Sequence, residues 1–154
     1  MVINALAINW VTAELTESFK MQICIALLKI NAVLFLAFGV GFLSQTLFFA
    51  QFITDGVPVT TSALIDMRAT YGGMSFGFGV FLAYCALSQR AVNEGIVASI
   101  LVMFGLAFGR GVGILIDGAP NTMMYALLLA ELLFGVLLML ALMKASRSDA
   151  SCYG

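Results

Sequence analysis

Arg110 and Glu131 are opposite charges set inside two long apolar runs that otherwise carry almost no charge. An ionisable side chain held in hydrocarbon costs about 3 kcal/mol unless it is paired or hydrated, so each of these residues calls for a partner. The residue types bound the chemistry. An arginine fork suits a carboxylate or a phosphate, while a buried carboxylate can neutralise an arginine or handle a proton. Arg68, Asp66 and Asp117 fall at the ends of neighbouring apolar runs, and Tyr71 adds a phenolic hydroxyl one turn beyond Arg68. Together the six residues define a candidate polar cluster.

The elements that must position them are spanning helices. The chain has 154 residues, is 62% hydrophobic and only 10% charged, and has a mean hydropathy of +1.08. These values lie far outside the soluble range and point to an all-α integral membrane protein. A spanning helix needs about 20 mostly apolar residues. Four windows meet that need, over 23–49, 71–87, 96–116 and 123–143. The second window can start earlier, because Thr60, Thr61 and Ser62 follow Pro58 and are suited to cap a helix near Ser62. A bundle of four transmembrane helices in a single domain follows, with 144–154 as a tail.

Lys20, Lys29, Arg90, Lys144 and Arg147 belong to the N-terminal flank, the second connection and the C-terminal tail, whereas the first connection has only Arg68 and the third has no Lys or Arg. Positive charge stays on the cytoplasmic side, so both ends of the chain are expected there. In that orientation Arg110 lies about 9 Å below the outer boundary and Glu131 about 12 Å below it, at 1.5 Å per residue. The 117–122 connection is a turn by composition, with Gly118 suited to positive φ, Pro120 fixing its own φ, and Asp117 or Asn121 able to cap a helix end. Antiparallel neighbours joined by so short a turn can bring the two charges together. Three readings then stay open: a pair that sets helix register, an anionic or lipid-headgroup site with Arg110 and Arg68 as donors, or a proton-handling or catalytic carboxylate at Glu131.

Other chemistry is thinly supplied. There is no histidine, which removes the commonest zinc and haem ligand and the commonest general base. The cysteines Cys24, Cys85 and Cys152 show no CxxC spacing, and no metal site or cofactor is expected beyond a bound lipid. The net charge is −1 with no basic run, which argues against nucleic acid as a partner. Residues 1–20 have no basic leader and place Ile3, Leu6, Trp10 and Ala13 on one stripe, so they are expected to be retained as an amphipathic helix lying in the interface or docked on a partner. Gly73 and Gly77, and Gly105, Gly109 and Gly113, recur at the spacing of small-xxx-small helix-packing faces.

Arg68 with Tyr71, Gly72 and Gly73, then Gly109 and Arg110, the Asp117, Gly118 and Pro120 turn, and Glu131 form a combination that resembles a family of small bacterial four-helix membrane proteins grouped as a domain of unknown function. The resemblance covers 68–142; the first span agrees only in hydropathy. It implies the four-helix fold and a bacterial cytoplasmic membrane, and brings no activity. The functional expectation is an accessory or scaffold subunit contacting the bilayer and other membrane subunits. The alternative is a binder or transporter of lipid or a small anion, and an enzyme using Glu131 comes third.

Overall fold

The computed structural model describes the backbone of residues 2–88 and 91–151, and the side chains of residues 15, 18–88 and 91–144 within them. The helices are α1 (Val2–Ser44), α2 (Thr46–Thr54), α3 (Thr61–Met67), a π-helical segment (Arg68–Met74), α4 (Ser75–Leu87), α5 (Val92–Asp117) and α6 (Thr122–Ser151). The described residues contain no strand. Four helical stretches are long and apolar enough to cross a membrane: Ser18–Ser44, Thr61–Leu87, Val92–Asp117 and Thr122–Lys144. The protein is an all-helical bundle of four candidate spans.

Residues 1–20 were expected to form a separate helix, but α1 is continuous from Val2 to Ser44. The chain has no proline or glycine before Gly39, so nothing removes a donor or loosens the backbone along that stretch. The face presented by residues 1–14 lies outside the described side chains, as do Arg90 and Arg147, on which part of the expected orientation rests. At the other end, α6 extends through Ser151 and takes in most of the expected tail.

The first apolar window breaks at Ser44. Its Oγ donates back to the Val40 carbonyl at 2.7 Å, Gln45 leaves the helical region at φ −131°, and Thr46 starts α2. Phe49 then folds back over Gly41, where an added Cβ would lie 2.5 Å from the ring. A larger residue at position 41 would oblige the Phe49 ring to shift. The second span begins as the capping residues imply: the Thr60 hydroxyl accepts from the Ala63 N–H at 3.1 Å, and helix runs on from Thr61 to Leu87.

α1 and α4 pack antiparallel with their backbones nearly touching. A Cβ at Gly39 would lie 2.5 Å from the Phe76 nitrogen, one at Gly79 would lie 2.8 Å from the Leu36 nitrogen, and one at Gly72 3.0 Å from the Leu43 nitrogen. The same register brings Leu28 beside Cys85, where Gly95 of α5 fits between them. Cys24, Leu28, Ala32, Leu82, Cys85, Ala86, Val92, Ile96 and Leu138 form the apolar core at the end carrying the α4–α5 connection. α5 and α6 form the second antiparallel pair, with Gly135 accommodating the Phe104 ring. Where the pairs meet, Asn31 of α1 and Ser99 of α5 are fully buried, and Asn31 Nδ2, Asn31 Oδ1 and Ser99 Oγ have no hydrogen-bond partner among the described residues.

The glycines expected to pack helices do not do so among the described residues. Among the described residues, a Cβ at Gly73, Gly77, Gly105 or Gly109 meets nothing within 4 Å, and one at Gly113 meets only Asp117 Oδ2 at 3.8 Å. Rotation explains this. Two positions along a helix turn a side chain through about 200°, so Gly77 lies opposite the buried Ser75 and Gly79, and Gly105 and Gly109 lie opposite the buried Met103 and Ala107.

Candidate functional site

Arg110 and Glu131 meet across the α5–α6 seam. The Arg110 Nε–H is shared between both oxygens of the Glu131 carboxylate, at 2.9 Å to Oε1 and 3.0 Å to Oε2. Nη1 donates to the Met124 sulfur at 3.1 Å. The Arg110 side chain is 20% exposed and that of Glu131 8% exposed, so the pair is largely withdrawn from its surroundings. Low local polarity strengthens the attraction, and it makes either partner expensive to leave alone.

Both helices bring their charge to the same level because their connection is short and well capped. α5 ends at Asp117, and Gly118 turns the chain at φ 99°. Asn121 then caps α6: its Oδ1 accepts from the Met124 N–H at 3.0 Å. Its Nδ2 donates to the Ile53 carbonyl of α2 at 2.9 Å, tying the connection to α2. Met124, in the first turn of α6, thereby presents its sulfur to Arg110.

The remaining expected residues do not join this pair. Arg68 donates through Nε to Thr46 Oγ1 at 3.0 Å, and the Thr46 hydroxyl donates in turn to the Phe42 carbonyl. This relay anchors the π-helical segment to the kink between α1 and α2. Tyr71 stacks on Phe42, with ring centroids 5.2 Å apart and 24° between planes. Asp66 and Asp117 are exposed, and neither makes an ion pair among the described residues. The six-residue cluster is therefore resolved into one buried ion pair and one tether. Arg68 sits in a π-turn, which widens the helix by one residue and swings its side chain toward Thr46; that widening has no signature in the residue pattern.

Thr46, Met124 and the second bond of Asn121 are participants that sequence reasoning passed over. Asn31 is another, although an amide in the middle of an apolar run was a signal available to be read. Chemically, the arrangement can hold two helices in register. A nucleophile paired with a base is not present among the described residues at this site, and no group of three or more His, Cys, Asp or Glu there could hold a metal ion.

A family model described as "Domain of unknown function (DUF4345)" matches residues 23–142. The match includes the first span, beyond the 68–142 stretch in which the resemblance has its motifs. No curated protein and no solved structure matches the chain.

Proposed function

The chain belongs to the DUF4345 family, and on that footing we propose that it is an accessory or scaffold subunit of a larger assembly in a bacterial cytoplasmic membrane, with both ends of the chain on the cytoplasmic side. The observation that carries the reading is the pair of outward-facing glycine stripes, Gly73 with Gly77 and Gly105 with Gly109, each open to a full Cβ. Lipid tails are as apolar as leucine, so a helix gains little from burying more apolar area. A small-residue stripe instead lets another helix approach closely enough for dispersion contacts to hold it. The chain's own glycine seam between α1 and α4 follows the same principle, and the open stripes offer it to a partner. The orientation is supported by the distribution of Lys and Arg, and the bacterial membrane by the motif resemblance.

The Arg110 and Glu131 pair supports the same reading over ligand binding at that end. A guanidinium whose Nε is committed to a carboxylate 2.9 Å away has less to offer a headgroup. The test is native electrophoresis and mass spectrometry of membranes extracted in gentle detergent. Wild type migrates with at least one further membrane chain, and Gly77→Leu or Gly109→Leu releases it while the stability of the isolated chain changes by less than about 0.5 kcal/mol. Wild type migrating as a single chain, or both variants keeping their co-purifying chains, ends the proposal.

A further inference from the structure

Arg110 is held by a carboxylate, whereas Arg68 is held through Nε by a neutral hydroxyl, that of Thr46. A guanidinium has N–H donors to spare after one such bond, and the Nη1 and Nη2 fork of Arg68 has no acceptor among the described residues. Its charge has no partner there either. α1, α3 and α4 pack on the π-helical segment, and the acids they carry are Glu14 and Glu17 toward the far end of α1, and Asp66. Asp66 is exposed and two positions from Arg68, about 200° around the helix, and Asp55 beyond α2 is exposed too. Neither makes an ion pair among the described residues, which at this end take in all the side chains of 45–75 and 115–125.

Depth decides what can supply the missing charge. The candidate span Thr61–Leu87 has 27 residues and is about 40 Å long, against about 30 Å of hydrocarbon. With Leu87 at one boundary, where the chain leaves the helix, the excess of about 10 Å covers roughly seven residues and puts Arg68 at the other boundary, the level of lipid phosphates. An arginine there on a free stem can reach any headgroup. Here the Nε bond fixes the fork in place, and the Thr46 hydroxyl is itself tied to the Phe42 carbonyl. Leu43, whose backbone faces Gly72 one turn along from Arg68, is exposed, so apolar surface continues from the guanidinium toward the bilayer.

We propose that the Arg68 fork binds the phosphate of an anionic phospholipid, with an acyl chain of that lipid running over Leu43 into the bilayer. Paired N–H donors match two phosphate oxygens, and the lipid supplies the negative charge that the chain does not. Such a lipid needs no partner subunit in place.

Native mass spectrometry of the full chain in detergent reads the lipid held on a single chain, with dioleoyl phosphatidylglycerol as the probe and dioleoylglycerol, the same chains without phosphate, as the control. Wild type retains phosphatidylglycerol in preference to dioleoylglycerol. Arg68→Gln lowers phosphatidylglycerol retention about fivefold, the share of one basic residue near a membrane surface, and leaves dioleoylglycerol retention unchanged. Arg68→Lys, which keeps the charge and loses the fork, also falls below wild type. Lys29→Gln, at an exposed lysine toward the opposite end of the first span, has no effect, and sn-glycerol 3-phosphate, which lacks the chains, fails to displace the lipid. Equal retention of the two lipids in wild type, or an equal change in both or in neither on Arg68→Gln, overturns the proposal. Release of a co-purifying membrane chain by Arg68→Gln with the lipid retained overturns it by assigning the counter-charge to a carboxylate of that chain. Displacement by sn-glycerol 3-phosphate overturns it by making the fork a site for a free anion.

Discussion

The seam between α1 and the second span is closed by backbone, with Gly39 of α1, Gly72 of the π-helical segment and Gly79 of α4 each leaving room for the main chain of the facing helix, whereas the seam between α5 and α6 is joined by a charge pair 2.9 Å apart. Both solve one problem. Between helices in lipid the hydrophobic effect supplies little, so adhesion comes from close approach or from electrostatics in a low dielectric. The two solutions carry opposite sensitivities. The first seam is blocked by main chain and has no charge to lose; the second meets a side chain, the Phe104 ring 3.2 Å from a Cβ at Gly135, and depends on two charged residues that must change together.

The sharpest way to break the comparison is at the charged seam. Arg110→Leu leaves Glu131 buried without its partner and is expected to lower stability by about 3–5 kcal/mol, read from denaturant unfolding in detergent. Adding Glu131→Leu should return part of that loss, because an apolar pair avoids the desolvation both charges incur. Losses that simply add would show that the two residues do not stabilise each other. At the glycine seam, Gly39→Ala drives a methyl to 2.5 Å from the Phe76 backbone nitrogen, and α1 and α4 must separate to relieve it. A loss of about 1–3 kcal/mol is expected by the same measurement, against almost none for Gly105→Ala, whose methyl meets open space. Equal effects at Gly39 and Gly105 would erase the distinction between closed and open glycines.

The smallest effect is expected where the two seams meet. Asn31 is fully buried with both amide atoms unpartnered among the described residues, so Asn31→Leu should raise stability by about 1 kcal/mol through removal of polar atoms that lost hydration without gaining a bond. A clear loss in that variant would mean that the amide is satisfied in the membrane, and the junction would then be a polar tie comparable to Asn121.

Much of this architecture was legible in the residues. Four apolar windows correspond to four spans, the Thr60 cap starts the second, Gly118 turns the third connection, and Arg110 and Glu131 were paired by depth alone. Each of these depends on distance along the chain or on the chemistry of one residue. The break at Ser44 was not legible, because it needs Phe49 to settle over Gly41; an uninterrupted apolar run reads as one helix.

The residues alone specify the axial part of the protein: which segments are helical, roughly where they stop, and which charges share a level. Hydropathy, capping and the rise per residue act along one dimension and are written locally. The rotation of each helix about its own axis is set by packing. Gly72 and Gly73 are adjacent in the chain, yet a Cβ on one would meet the Leu43 backbone and a Cβ on the other meets open space among the described residues, and Arg68 bonds Thr46 rather than joining Arg110 and Glu131. A helix in lipid has no polar face to orient it against water, so its rotation is set by the neighbour it packs on. That information is shared between segments and belongs to neither alone.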